Sequence, residues 1–245
     1  MSKTEYQIKL HDGPGRLGLL GDSETPLLVK YERMDIAPYE TIPHNVPREI
    51  AEWGVSETLE MASESDAEYA FIHGSRYTDL RVRCALELEE IGFRKLVVAN
   101  MDELLQRPMD MVRILTGIRE AIKPETMLCS TFTPPAFIPL LAYMGVDVFS
   151  DAAAEFYGMI NVLLTETHTY PLNTYRIYSY SREELIERNR LTLDLVLREV
   201  REHIKNGTLR NLVEERAASS PQNMSALRTL DHEMQEFLQK YTPLY

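Results

Sequence analysis

The chain has 245 residues, 44% hydrophobic and 26% charged, which is the balance of an ordinary folded globule rather than a disordered or fibrous chain. A net charge of −12 argues against a stand-alone nucleic-acid binder, which needs a basic face on phosphate, and favours a basic protein partner. No apolar run approaches the ~20 residues of a membrane span, no secretory leader is read at the N-terminus, and the two cysteines, Cys84 and Cys129, sit in apolar segments as buried thiols, so a cytoplasmic protein without a disulfide framework is expected.

The N-terminal thirty residues read as β. YQIKL, a DGPG turn and RLGLL make a hairpin, and PLLVKY (26–31) is the expected third strand. Residues 32–47, rich in Pro and Tyr, read as a connecting loop. Helical spacing begins after Pro47, with Ile50, Trp53, Leu59 and Met61 as its apolar positions.

A βα rhythm follows. YAFIH (69–73), LVVA (96–99), MLCS (127–130) and VDVF (146–149) are short apolar runs of strand length. Helices are expected over 79–91, with Leu80, Cys84, Leu88 and Ile91 on one face, over about 108–122, and from Pro134 or Pro135 to Met144. Continuous apolar strands between amphipathic helices imply a parallel sheet buried on both faces.

After Gly158 the rhythm stops, and residues 159–180 read as an irregular or β excursion. Ser181 and Glu184 then form a capping box opening a long helix, with Leu185, Asn189, Leu193, Val196, Val200 and Ile204 on one face. Asn206-Gly207 stops it, and two more amphipathic helices close the chain. A complete eight-stranded barrel needs about 250 residues by itself. The fold expected is therefore α/β, an incomplete or modified TIM-like βα barrel, or an open sheet, with an N-terminal β-hairpin and C-terminal helices. We expect one domain overall, divided into a β region over 1–30, a partial-barrel core over 31–158, and an insertion with helices over 159–245.

Parallel strands present ligands at their C-terminal ends. The candidates there are His73-Gly74-Ser75-Arg76, Asn100-Met101-Asp102, Ser130-Thr131 and Ser150-Asp151. His73 could act as a general base, Ser75 or Ser150 as a nucleophile, and Asp102 with Asp151 as an acid and base pair. Small polar residues also stand at strand ends simply to cap the next helix. The six histidines form no H-x-x-x-H and there is no C-x-x-C, so neither a metal nor any other cofactor is expected. Tyr170, Tyr175, Tyr178 and Tyr180 could stack on bases or simply pack the excursion. Arg182, Arg188, Arg190, Arg198 and Arg201 would favour RNA as a patch, but glutamates are interleaved with them.

FIHGSRYTDLRVRCALELEEIGF resembles a segment of the tRNA-guanine transglycosylase superfamily, in which a strand ending V-Q-G-G precedes a Leu-Arg and a helix closing in Gly-Phe. LVVANM stands where that family has a Gly-Gly-Leu strand end, and LAYMGVDVFSDA where it has G-V-D-x-F-D. IKNGTLRNLVEERAASSPQNMSALRTLD is similar to the helical tail of its archaeal branch, the archaeosine transglycosylases and archaeosine synthases, and HDGPGRLGLLGDSETPLLV to their opening. The resemblance implies a βα barrel that exchanges guanine in tRNA through a nucleophilic Asp, helped by a second Asp, with a zinc site of three cysteines and one histidine.

This sequence departs from the family at each of those points. The nucleophile position after Phe149 is Ser150, with Asp151 one residue on. A serine hydroxyl is un-ionised at neutral pH and needs a base. The base-recognition turns are His73-Gly74-Ser75 and Ala99-Asn100-Met101, so Gly74, Ser75 and Asn100 are the candidate substrate contacts. The zinc-ligand positions hold no cysteine near 174–180 and Arg188-Asn189 instead of His-Asn. The resemblance therefore implies a truncated, zinc-free accessory subunit or scaffold for archaeosine tRNA modification. Its partner would be a catalytic transglycosylase, an archaeosine synthase or another copy of itself, with tRNA reached through that partner. The alternatives are a split part of archaeosine synthase, an enzyme of altered chemistry at the strand ends, and a small-molecule or RNA-binding module.

Overall fold

The computed structural model describes residues 6–176 and 178–241. Strands β1 (Tyr6–Asp12), β2 (Gly15–Leu20) and β3 (Ser23–Thr25) form an antiparallel meander. Gly13 adopts φ +56° in its first turn, a conformation in which glycine carries no Cβ penalty. The expected third strand is thus divided. Ser23–Thr25 completes the meander, while β4 (Leu27–Val29) leaves it and pairs in parallel elsewhere.

After β4 come helix α1 (Arg48–Ser63), β5 (Tyr69–Ile72), α2 (Thr78–Ile91), β6 (Lys95–Val98), α3 (Met101–Leu105) and α4 (Pro108–Ala121). Next are β7 (Met127–Ser130), α5 (Ile138–Tyr143), β8 (Val146–Ser150) and α6 (Ala152–Met159). The excursion is a short hairpin, β9 (Val162–Leu164) with β10 (Thr169–Pro171), then α7 (Leu172–Tyr175). The chain ends in α8 (Arg182–Lys205), α9 (Leu209–Ala217), α10 (Pro221–Glu233) and α11 (Gln235–Lys240). The capping box of Ser181 and Glu184 opens α8 as the spacing predicts, and α11 is an addition.

The central sheet is parallel, in the order β4-β8-β7-β6-β5, and its strands and crossover helices make this a mixed α/β fold. Five strands are present among the described residues, not the eight of a closed barrel. Beyond β5, Ile36 bridges Tyr69 in parallel. One stretch of chain, 27–36, therefore supplies both margins of the sheet. The residues from Val29 to Ile36 include a 3-10 turn at Tyr31–Arg33 and reach at most roughly 20 Å. Six strand positions laid flat would span about 24 Å, so the sheet curls.

One face of this sheet carries Tyr69, Phe71, Val97, Ala99, Met127, Cys129 and Val148, the alternate residues of the strands. Tyr6 and Met34 pack there, with Ile8 and Leu20 of the meander against them. The other face packs against the helices in one core that runs from Leu17 to Phe237. The two cysteines are free and buried, as expected.

Two helices sit differently from their expected stripes. In α1, Ile50 and Trp53 are exposed, and the buried face is Ala51, Gly54, Val55, Thr58, Leu59 and Ala62. The reason is close approach: a Cβ on Gly54 would lie 2.4 Å from Ile42, so only small residues fit where 37–46 crosses the helix. In α2, Ile91 is exposed at the last turn, while Leu80, Cys84 and Leu88 are buried.

Candidate functional site at the strand ends

β5 and β6 end side by side, and Arg81 of α2 joins them. Its guanidinium is fully buried and donates from Nε to the Ser75 carbonyl (2.7 Å) and from Nη1 to the carbonyls of Ile72 (3.2 Å) and Ala99 (3.0 Å). Nη2 donates to Asn100 Oδ1 at 3.1 Å. No carboxylate lies within salt-bridge distance of it among the described residues, and burial pushes its pKa down to about 10. The turn above it is tight. Gly74 has φ +142°, and a Cβ there would lie 2.6 Å from the Arg81 backbone nitrogen. Ser75 (φ 53°) and Asn100 (φ 59°) also sit in the left-handed region, which Asn tolerates better than most residues.

Residues 37–46 lie across these two ends as a strap. Ala37 N–H donates to the Tyr69 carbonyl at 2.8 Å. The Ile42 carbonyl accepts from Asn100 Nδ2 (3.0 Å), and the Pro43 carbonyl accepts from Ser75 Oγ (2.9 Å). His44 N–H donates to Glu103 Oε1 (3.1 Å), Asn45 Oδ1 accepts from Arg76 (3.0 Å), and the Val46 carbonyl accepts from the Tyr77 hydroxyl (3.2 Å). The Tyr39 ring lies 4.3 Å from that of Phe71 and 5.5 Å from that of His73, between centroids. The Pro- and Tyr-rich segment is a loop, as expected, but one anchored at nearly every residue.

His73, under Tyr39, is 3% exposed, and neither ring nitrogen has a hydrogen-bond partner. Burial, with the Arg81 charge nearby, pushes its pKa down to about 3. The imidazole is therefore neutral throughout the physiological range and a weak base.

The ends of β7 and β8 form a separate group. Ser150 is 2% exposed; its Oγ donates to the Thr131 carbonyl at 2.6 Å and accepts from Ala152 N–H at 3.3 Å. Ser130 and Thr133 share a hydrogen bond of 2.6 Å. Asp151 is fully buried. Its Oδ1 accepts from Tyr31 N–H (2.8 Å) and its Oδ2 from Arg190 Nε (2.8 Å). Asp102 is exposed in the first turn of α3. The structure thus brings Gly74, Ser75 and Asn100 together through Arg81, with His73 adjoining. It holds Ser150 to Thr131, and it joins neither Asp102 nor Asp151 to them by a hydrogen bond among the described residues.

Of the five α8 arginines that as a patch would have favoured RNA, three are paired with acids or a carbonyl. Arg190 also faces Glu155 and Glu187, Arg198 pairs with Asp194, and Arg201 donates to the Pro26 carbonyl at 2.6 Å. Tyr170 and Tyr180 pack on Leu163, Leu172 and Leu185, while Tyr175 and Tyr178 are exposed. No group of three potential metal ligands is found among the described residues. No helix is long and apolar enough to cross a membrane.

Arg81 entered the sequence reading only as the arginine of the family-like Leu-Arg, with no role, because it stands beside an apolar stripe. Asp147 was given no role either, although a carboxylate inside the apolar run VDVF is itself a signal of a buried partner.

The chain matches the family model described as queuine tRNA-ribosyltransferase over residues 34–184. It is 35% identical over 154 residues to an archaeosine synthase of Methanocaldococcus jannaschii, covering 63% of this chain and 25% of that protein. It is 30% identical over 245 residues to a tRNA-guanine(15) transglycosylase of Pyrococcus furiosus, covering 86% of this chain and 41% of that one. An archaeosine synthase subunit alpha of Thermococcus kodakarensis is 27% identical over 263 residues, with 97% and 43% covered. The chain spans a quarter to less than half the length of these relatives.

Proposed function

The chain belongs to the queuine tRNA-ribosyltransferase family, and from that premise we propose that it serves tRNA modification as a non-catalytic subunit beside a catalytic transglycosylase or archaeosine synthase. The strap carries this reading. A base pocket at the ends of β5 and β6 would turn Ser75 and Asn100 toward a ligand, yet both hold the backbone of Ile42 and Pro43. Ser150, at the position where the family resemblance puts the nucleophile, gives its proton to a carbonyl, and no base lies in hydrogen-bond reach of it among the described residues. His73 is too weak a base to take over that role.

The curled sheet reads as a βα barrel from which strands are missing, with the meander and the strap in their place. β4 has no strand on its outer side among the described residues, and such an edge is a place for a partner to pair. One relative bears the name of a subunit, archaeosine synthase subunit alpha, which fits a divided enzyme.

The test has two parts. The tagged chain is purified from its native host, with proteins and RNA in the eluate identified, and exchange of labelled guanine into tRNA is assayed with the chain alone and with what it retains. Recovery of a transglycosylase or archaeosine synthase in fixed ratio, with exchange only in the complex, is expected. Exchange by the chain alone, or recovery as a homo-oligomer without such a partner, overturns the reading.

A further inference from the structure

We propose that the exposed stripe of α1 docks a basic amphipathic helix of another protein. The stripe follows from the close approach of the strap. With Gly54 against Ile42, the helix turns its small residues inward and leaves Ile50 and Trp53 in solvent, 45% and 48% exposed. Half-buried Met61 continues the row, since positions 50, 53 and 61 share one side of a helix. Trp53 is the only tryptophan of the chain. A solvated apolar row centred on a tryptophan has the composition of an interface anchor.

Charge selects the occupant. Glu49, Glu57 and Glu60 stand one or two turns from Trp53 and so surround it. None of the three forms an ion pair among the described residues. Arg48, the one base of the helix, is engaged by Glu52 and Asp79. Helix α8 shows the contrast: there Glu187, Asp194, Glu199 and Glu202 each meet an arginine or a lysine. The α1 glutamates are left to meet the Lys and Arg side chains of a partner whose own apolar row covers Ile50 and Trp53. The same charges exclude other occupants. A second copy laid on this face would bring glutamate against glutamate. RNA or an anionic membrane would bring phosphate.

None of His73, Ser75, Asn100 and Ser150 belongs to the stripe. Docking here is open to a catalytic and to a non-catalytic chain alike, so the inference does not rest on the accessory role.

The lone tryptophan serves as the reporter. The probe is a synthetic peptide two heptads long, Leu-Lys-Lys-Leu-Leu-Lys-Leu repeated, titrated into the full chain while Trp53 emission is followed. Binding should move the emission to shorter wavelength, because the peptide takes the indole out of water. The affinity should fall roughly tenfold between low and half-molar salt. The same peptide with Glu for every Lys should not bind. Trp53→Ala, read calorimetrically, should weaken the lysine peptide by roughly tenfold or more. The double variant Glu57→Lys, Glu60→Lys should weaken it comparably, while Glu183→Lys, at an exposed acid of α8, should leave it unchanged. All these side chains are exposed or half-buried, so the fold is kept. Absence of binding at millimolar peptide, equal binding of the glutamate peptide, equal weakening by Glu183→Lys, or binding unchanged in both Trp53→Ala and the double variant overturns the proposal. So does the same shift of Trp53 emission produced by tRNA, by anionic vesicles or by concentrating the chain alone.

Discussion

Arg16 of the meander grips Asp147 of the central sheet with two parallel hydrogen bonds, Nε to Oδ1 at 2.7 Å and Nη2 to Oδ2 at 2.6 Å, both residues being buried. The same carboxylate accepts from the Tyr6 hydroxyl and the Leu128 N–H. Arg16 goes on to the carbonyls of Pro124 and Thr126. Every oxygen and most donors are satisfied, which is the condition under which a buried ion pair is tolerated.

Removing one partner should therefore cost far more than removing both. Asp147→Ala leaves a buried guanidinium without its carboxylate and should lower stability by about 3–5 kcal/mol. The double variant Arg16→Met, Asp147→Leu should recover a large part of that loss. Urea unfolding of the three proteins checks it; equal losses in the single and double variants would mean that the pair is not the joint between the two sheets.

The buried histidine should make the protein acid-sensitive. Folded, His73 takes up its proton only near pH 3, whereas in the unfolded chain it does so near the ordinary value of about 6.5. Between those values the unfolded state holds more protons. The stability His73 contributes is therefore complete above about pH 6.5 and falls by roughly 1.4 kcal/mol per pH unit on acidification toward 3. His44, on the strap, is shifted in the same direction, by burial, against the pull of Asp110. His73→Phe should flatten the dependence measured by urea midpoints between pH 6.5 and 4. An unchanged slope would place the acid lability elsewhere.

Restoring a carboxylate at the end of β8 should not restore chemistry. Ser150→Asp puts an acid where the family resemblance has its nucleophile, but Ser75 and Asn100 remain held by the strap. Labelled guanine should stay out of tRNA at the background level of the unmodified chain. Guanine incorporation by this variant acting alone would falsify the idea that the strap, and not only the lost carboxylate, closes the site.

Both thiols should resist modification until the chain unfolds. Cys84 and Cys129 are fully buried, and burial pushes the Cys84 thiol up to about 12 and that of Cys129 well above its ordinary value. Thiolate is the reactive form. Ellman's reagent at pH 8 should titrate no thiol in the native protein and two in denaturant; rapid native reaction at either would show that α2, for Cys84, or β7, for Cys129, opens locally.

The sequence by itself determined the βα rhythm of β5 to β8, the hairpin at the start and the capping box of α8. Each of these rests on neighbours a few residues apart: alternation or continuity of apolar residues, a Gly-containing turn, a serine three places before a glutamate. It also placed Ser150 and Asp151 at a strand end. Only the tertiary structure decided what those residues touch. Ile42 and Asn100 meet across 58 positions, and Asp147 and Arg16 across 131. No local period announces such pairs. The burial of Gly54 in place of Trp53 follows from the strap crossing α1, and the neutrality of His73 from its burial and then from the charge of Arg81. Whether a polar residue at a strand end faces a ligand or its own chain depends on which distant segment fills the space in front of it, and here residues 37–46 fill it.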